Sequence, residues 1–227
     1  HRYGRRQRQM CIRDRVPIAV KDNIDVKDMI TSAGSLALEN NLITQDAFLV
    51  TKLKQNNYFI IGKTNLSEWA NFRSTGSVSG WSSLGGQTLN SYGRNLNPCG
   101  SSSGSAVAVK DGLVEVAIGT ETNGSISCPA SVNGIVGIKP TVGLVSRHGI
   151  VPISSTQDTA GPMTKSVALA AQVLSAISGF DPKDKATYNI PSTMTFNFAD
   201  DLSLDGLQNK RLGSVSYTHL TLPTTVS

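Results

Sequence analysis

The stretch Cys99–Ser125 reads CGSSSGSAVAVKDGLVEVAIGTETNGS and contains the alternation of elements that decides the fold class. Small residues over Ser103–Lys110 predict a helix, and Gly112 suits the turn that ends it. The apolar run Val114–Ile118 that follows predicts a buried β-strand. A helix that leads directly into a buried strand is typical of α/β proteins, in which helices cover a sheet.

Short apolar runs elsewhere in the chain predict further strands. They are Val16–Val20, which ends just before Lys21, Tyr58–Ile61 and Ile135–Ile138. Because strands alternate with helices, we predict an α/β architecture with a largely buried sheet. No apolar run reaches the length of about 18 residues that a membrane span needs, so the sequence predicts no membrane partner.

Two more helices are predicted from apolar spacing and from capping residues. Residues Asp46–Asn56 place apolar side chains at roughly helical spacing, which predicts an amphipathic helix. Ser166 is a suitable N-cap for a helix that runs to Ile177, and Gly179 would end that helix. The long loops between these elements are rich in Ser, Gly and Thr, and loops of that length are more often functional than idle.

The formal charge of +5 is confined to residues 1–15, which contain six Arg and one Asp, and the remainder has 15 basic and 15 acidic residues. A basic tail usually indicates nucleic-acid or lipid binding. However, RRQRQMCIRDR at 5–15 and VSYTHLTLPTTVS at 215–227 both resemble translated sequencing-adapter sequence. We therefore predict non-native tails at 1–15 and 214–227, one domain over 16–213, and no nucleic-acid partner.

The cysteines do not suggest a metal site. Cys11 lies in the N-terminal tail, and Cys99 and Cys128 form neither a CxxC motif nor a cluster with histidines. The sequence therefore predicts no zinc site and no disulfide framework. We interpret Cys128 as a small buried hydrophobic residue.

Three side chains are candidates for amide hydrolysis, which needs a nucleophile, a base and hydrogen-bond donors for the oxyanion. Ser125 follows Asn123-Gly124, in a turn whose backbone N–H groups can form an anion-binding nest. Lys21 follows an apolar strand, and desolvation there would lower its pKa and favour the neutral amine, a general base. A second hydroxyl such as that of Ser101 would relay the proton. Taken singly, each signal has a plainer explanation, since surface lysines, turn serines and Gly/Ser linkers are common.

The combination of segments is more specific, because it resembles the amidase signature family over nearly all of residues 16–213. The segments are PIAVKDN at 17–23, TSAGS at 31–35, GKTNLSEWA at 62–70, CGSSSGSA at 99–106, GTETNGSI at 119–126, GIVGIKPT at 134–141 and QDTAGPM at 157–163. The resemblance implies the amidase-signature fold, an α/β fold with a mixed β-sheet core flanked by helices. It also implies that this chain holds a partial amidase domain, the N-terminal part.

The resemblance further implies a Lys-Ser-Ser triad, in which Lys21 is the base, Ser101 the bridging serine after a cis-capable peptide bond, and Ser125 the nucleophile. Neutral Lys21 would take a proton from Ser101, which takes one from Ser125 as it attacks the amide carbon. The residues implied for the oxyanion hole and for substrate binding are Thr122, Asn123, Gly124 and Ser102. The implied reaction needs no metal and no organic cofactor.

Within the family, four segments resemble bacterial peptide amidases. They are SEWANFR at 67–73, SGWS at 79–82, TETNGSI at 120–126 and RHGIVPIS at 147–154. This implies a peptide with a C-terminal carboxamide as substrate, and release of ammonia. Many family members have Gly-Gly before the nucleophile, whereas this chain has Asn123-Gly124.

Other reaction classes fit the residues less well. A Ser-His-Asp hydrolase would have to use His148 and Asp158, and no GxSxG motif surrounds Ser125. We interpret His148 as a loop or pocket-wall residue, and Asp158 as a structural residue that orders the loop before Gly161-Pro162. The segment Gly62-Lys63-Thr64 lacks the first glycine of a P-loop.

Two alternatives stay open at this point. One is the glutaminase subunit of a transfer-RNA-dependent amidotransferase, which shares the triad but works in a heteromeric complex. The other is an inactive truncated fragment that exposes hydrophobic surface. The natural substrate and the oligomeric state are not predicted, and the cytoplasm is taken as the default compartment.

Overall fold

A five-stranded mixed sheet lies at the centre of the computed structural model, which describes residues 15–200 and 202–211. The strands in chain order are β1 Val16–Lys21, β2 Tyr58–Thr64, β3 Trp81–Ser82, β4 Gly86–Gln87, β5 Val116–Glu121, β6 Val136–Gly137 and β7 Thr159–Thr164. The central sheet has the order β2-β1-β5-β7-β6, and β3 and β4 form a separate hairpin. Strand β1 is parallel to β2 and β5, whereas β7 is antiparallel to β5 and β6.

Helices cover both faces of this sheet. They are α1 Phe48–Gln55, α2 Ser103–Lys110, α3 Ser127–Asn133 and α4 Val167–Ile177, with 3₁₀ turns at Leu36–Leu38, Glu68–Asn71 and Lys185–Asn189. Ile18 and Val20 of β1 pack in the core that contains α1 and α4, while Ala19 packs with α2 on the opposite face. This alternation follows from the two-residue period of a strand. The mixed α/β prediction is therefore confirmed.

All seven predicted helices and strands are present, most of them with altered ends. The helices at Ser103–Lys110 and after Ser166 are confirmed, and Ser166 Oγ accepts a hydrogen bond from the Leu169 N–H at 3.3 Å. Strand β5 begins two residues after the start of its predicted range, Val114–Ile118, and continues through Thr120 and Glu121. The strand can include these two polar residues because it is buried between β1 and β7, where its backbone groups are paired.

The sequence analysis missed four elements, which are the short strands β3 and β4, strand β7 and helix α3. Strand β7 contains Gly161-Pro162, a pair that usually marks a turn, and we predicted a loop there. Pro162 nevertheless lies opposite Ile118 of β5, and its carbonyl accepts from the Ile138 N–H. Helix α3 has Pro129 in its first turn, where a missing N–H costs little.

The cysteine prediction was wrong, because Cys99 and Cys128 form a disulfide. Their Cα atoms lie 5.9 Å apart, within the usual range for such a bond. The residues are 29 positions apart, so the fold and not a local motif brings them together. Cys128 is partly exposed, not buried as predicted, and Cys11 lies outside the described residues.

Residues 15–200 and 202–211 contain neither a membrane-spanning helix nor a cluster of metal-binding side chains. None of the helices there is both long and apolar enough to cross a membrane. The same residues contain no group of three or more His, Cys, Asp or Glu side chains that could hold a metal ion.

The Ser166 cap gives a test of the fold. Replacing Ser166 with Ala removes the acceptor for the first turn of α4, so we expect the free energy of unfolding to fall by about 1 kcal/mol. Ser166→Asp keeps an acceptor and should retain most of that stability. Urea denaturation of the three proteins measures the difference, and equal midpoints for Ser166→Ala and the parent would contradict the assignment.

Candidate active site

Lys21 is the last residue of β1, and its side chain is completely buried. Because β1 runs parallel to β5, Lys21 reaches the carboxyl end of β5, where Thr120 lies. Lys21 Nζ lies 2.7 Å from Ser101 Oγ, 2.8 Å from Thr120 Oγ1 and 3.2 Å from Thr120 O. The amine is thus surrounded by oxygen atoms and has no contact with solvent.

This environment favours the neutral form of the amine. Burial lowers the pKa of Lys21 from 10.5 to about 7, against the charges of Glu121 and Asp158, which raise it. A neutral amine has two N–H groups and one lone pair. The carbonyl and hydroxyl oxygens of Thr120 can accept both N–H groups, which leaves the lone pair for the Ser101 hydroxyl. The arrangement suits a base that takes a proton from Ser101.

Ser101 lies in a tightly held segment before α2. Its peptide bond with Gly100 is cis, as the family resemblance implies, and its carbonyl accepts from the Ser67 N–H at 3.1 Å. Ser102 is also completely buried. Ser102 Oγ donates to Thr120 O at 3.0 Å, and the Ser102 N–H donates to Ser125 O at 3.1 Å. Ser102 therefore ties the Ser125 backbone to the end of β5.

Glu121 organises the backbone around Ser125. Its buried carboxylate accepts from the N–H groups of Gly124 and Ile126, both at 2.8 Å, and of Ser127 at 2.9 Å. Burial acts to raise the pKa of Glu121, but the hydrogen bonds from these N–H groups outweigh burial and lower the pKa below 4.5. An ionised carboxylate thus holds the loop in one conformation.

Ser125 opens onto a cavity of about 460 Å³. The cavity is lined by Ala70, Asn71, Phe72, Gly100, Thr122, Asn123, Ser125, Ile153, Ser154 and Gln157. Among the described residues, Ser125 Oγ has no hydrogen-bond partner, and it makes no hydrogen bond with Ser101 Oγ. The structure therefore brings Lys21 and Ser101 side chains into contact, and links Ser125 to them through backbone bonds.

The backbone N–H groups near Ser125 differ in whether they are free to donate a hydrogen bond to an oxyanion. Within the described ranges, those of Thr122, Asn123 and Ser125 have no acceptor. The Gly124 N–H is already bonded to Glu121, so the structure does not support Gly124 as an oxyanion donor. Ser102 does not line the cavity, so its predicted contact with substrate is replaced by contacts with Thr120 and Ser125.

Asp158 connects the wall of the site to the loop before Ser125. Its Oδ2 accepts from the N–H groups of Ile153 at 2.7 Å and Ser154 at 2.8 Å, and its Oδ1 accepts from Thr122 Oγ1 at 2.6 Å. Asp158 is structural, as predicted, but the segment that it orders precedes it. The residues that follow it form strand β7, where we had predicted a loop.

A second cavity of about 270 Å³ lies beside the first and shares Thr122, Ile153 and Ser154 with it. His148 lines this cavity, which confirms its interpretation as a pocket-wall residue. Arg147 is held there by Asp184, with Nε 2.9 Å from Oδ2 and Nη2 2.7 Å from Oδ1. These hydrogen bonds from Arg147 lower the pKa of Asp184 to about 2, so the pair is ionised at neutral pH.

Sequence reasoning missed three residues of the site. They are Thr120 and Glu121, at the end of β5, and Asn23, whose Nδ2 donates to Thr120 Oγ1 at 2.9 Å. A general rule could have pointed to Thr120 and Glu121, because ligand sites in α/β proteins lie at the carboxyl ends of strands. The individual contacts depend on side chains from separate strands and could not be deduced from the chain order.

Comparison with known proteins shows that the chain is similar to amidases. Residues 14–220 match the family described as Amidase. The chain is 48% identical over 202 residues to a probable amidase of Arabidopsis thaliana, covering 88% of this chain and 40% of that protein. It is 40% identical over 190 residues to a glutamyl-tRNA(Gln) amidotransferase subunit of a Sulfurihydrogenibium species, covering 84% of this chain and 38% of that one.

A solved structure is similar over the same part of the chain. The native peptide amidase from Stenotrophomonas maltophilia superposes with a TM-score of 0.83 at 58% sequence identity, over 86% of this chain and 40% of that chain. The chain therefore spans about 40% of the length of the relatives that it matches.

The role of Glu121 can be tested by Glu121→Gln. Gln keeps the size of the side chain but loses the charge that three N–H groups share, so we expect the free energy of unfolding to fall by about 2 kcal/mol at neutral pH. The difference should shrink as the pH falls below 4.5, because protonation removes the same charge from Glu121. Glu115→Gln, on an exposed residue, is the matched control for urea denaturation. Equal stabilities for the two variants would contradict the role.

Proposed function

The chain belongs to the amidase family, and we propose that it carries the catalytic residues of a serine amidohydrolase that cleaves carboxamide C–N bonds. The observation that carries this proposal is the contact between the buried Lys21 amine and Ser101 Oγ at 2.7 Å. A desolvated amine with a pKa near neutrality is a suitable base for activating a hydroxyl. The proposed triad is Lys21, Ser101 and Ser125.

In the acylation step, Ser125 Oγ attacks the amide carbon while its proton passes to Ser101 Oγ and the Ser101 proton passes to Lys21 Nζ. A C–O bond forms, and the carbonyl electrons move onto the oxygen. When the tetrahedral intermediate collapses, the C–N bond breaks and the departing amine takes a proton back through Ser101 from Lys21. Water then hydrolyses the acyl-enzyme by the same relay. These steps require Ser125 Oγ to turn toward Ser101, and catalytic hydrogen bonds often tighten only when substrate is bound.

The oxyanion of this intermediate needs donors at the mouth of the cavity. We propose that the N–H groups of Thr122, Asn123 and Ser125 supply them, since Glu121 already occupies the Gly124 N–H. Gly124 has a φ of +83° and supplies the left-handed turn that the loop needs. Asn123 can serve as a donor in place of the usual glycine because only its N–H is used.

For the substrate, we propose a peptide with a C-terminal carboxamide, which would yield the free acid and ammonia. Support comes from the 58% identity to the Stenotrophomonas maltophilia peptide amidase. The cavity at Ser125 and the one beside it have room for a group larger than a simple amide. Release of ammonia from glutamine, within an amidotransferase, is the alternative that the similarity to the Sulfurihydrogenibium protein supports.

The nucleophile is tested with Ser125→Ala in the full-length native protein. We expect ammonia release from a small peptide amide to fall by about 10⁴-fold or more, because the alanine has no hydroxyl to attack the carbonyl. Ser131→Ala, on an exposed serine of α3, is the matched control and should keep full activity. Activity that survives Ser125→Ala would reject the triad, whereas release only from glutamine would keep the triad and reject the peptide substrate.

The base is tested through the pH dependence of kcat/KM. Only neutral Lys21 can accept a proton, so kcat/KM should rise with pH, reach half its plateau near pH 7, and fall about tenfold per unit below that. Lys21→Met should abolish activity, and Lys27→Met, on an exposed lysine, should leave the profile unchanged. A kcat/KM that does not vary between pH 5 and 9 would contradict Lys21 as the base.

A further inference from the structure

The Cys99–Cys128 disulfide joins the two segments that carry the serines of the proposed mechanism. Cys99 lies two residues before Ser101, and Cys128 lies three residues after Ser125. We propose that Cys99 and Cys128 are positioning residues, which hold Ser101 and Ser125 in register, and that reduction of their bond by a dithiol slows catalysis. This inference rests on the proposed function, because it assigns the cysteine pair a role in that reaction.

Two hydrogen bonds also connect these segments. The Ser102 N–H donates to Ser125 O at 3.1 Å, and Asn133 Nδ2 donates to Pro98 O at 3.2 Å. The net contribution of a single hydrogen bond to stability is small, so either bond can open transiently. The covalent bond keeps the Cys99 and Cys128 Cα atoms 5.9 Å apart when they do.

The segment before Ser101 needs this restraint, because its backbone is unfavourable. Cys99 has a φ of +53°, in the left-handed region, which is unfavourable for a residue with a side chain. Gly100 packs so closely on Ser67 that a Cβ there would collide with Ser67 Oγ. A segment held in such a conformation can relax once the disulfide opens, and Ser101 would move with it.

The cysteines can be reached by a reductant, whereas the serines beside them are protected. Cys99 and Cys128 are both partly exposed, while Ser101 and Ser102 are completely buried. A dithiol such as dithiothreitol gives two electrons to the S–S bond, which breaks to yield two cysteine thiols. The dithiol closes to its own cyclic disulfide, which balances the reaction.

The kinetic test compares the oxidised full-length native protein with the same protein after treatment with dithiothreitol and its removal. We expect kcat for a peptide amide to fall by about tenfold to a hundredfold, because a small displacement of catalytic groups has an effect of this size. KM should change less than twofold, and reoxidation should restore kcat. The double variant Cys99→Ser, Cys128→Ser should behave like the reduced protein and be insensitive to dithiothreitol. An unchanged kcat after complete reduction would overturn the inference.

A second measurement separates positioning from general stabilisation, and it does not depend on activity. Hydrogen exchange, measured on both forms, should be at least tenfold faster in the reduced form than in the oxidised form over residues 99–103 and 122–128, and should be the same in the two forms over β1. Equal exchange in both forms, or acceleration over the whole chain, would overturn the inference. An oxidised protein without amidase activity would count against the proposed function, while the exchange result would still decide the positioning role.

Discussion

Removing an ammonium ion from water costs several kcal/mol, and Lys21 has its amine where no solvent reaches it. Neutralisation avoids most of this cost, which is why the pKa falls to about 7. The neutral amine then needs two acceptors and one donor, and Thr120 and Ser101 provide them. The rest of the site depends on this contact, because it fixes where the Ser101 hydroxyl must lie.

Two carboxylates oppose the effect of burial on the pKa of Lys21. Glu121 and Asp158 both raise the pKa of Lys21, so they limit the effect of burial and keep the value near neutrality. Each carboxylate also has a structural task. Glu121 holds N–H groups on both sides of Ser125, and Asp158 holds Thr122 and the loop at 153–154. The charges that shape the loop therefore also tune the proposed base.

The sheet explains how these groups meet. Lys21 and Thr120 come together because β1 and β5 are parallel neighbours whose carboxyl ends lie side by side. Ser101, 80 residues from Lys21, lies at the same place because the next residue, Ser102, donates from its Oγ to Thr120 O. Strand β7 is antiparallel to β5 and pairs Thr159 with Glu121, so Asp158 arrives at the same edge from the other side. The Cys99–Cys128 disulfide then joins the segment that contains Ser101 to the segment that contains Ser125.

The sequence by itself determined the fold class, most helices and strands, and the segments in which the candidate residues lie. Lys21, Ser101 and Ser125 could be chosen because they lie in segments that match specific sequence motifs of the family. Helix α4 could be predicted because Ser166 has the chemistry of an N-cap. These are local properties, which neighbouring residues encode.

The tertiary structure alone decided which polar groups touch. Strand β7 forms despite Gly161-Pro162 because β5 and β6 pair with it on both sides. The disulfide, the commitment of the Gly124 N–H to Glu121, and the contact of Asn23 with Thr120 all join residues through the fold. Such contacts depend on strand order and register, and side-chain chemistry read along the chain does not specify them, because the partners meet only when distant strands pair.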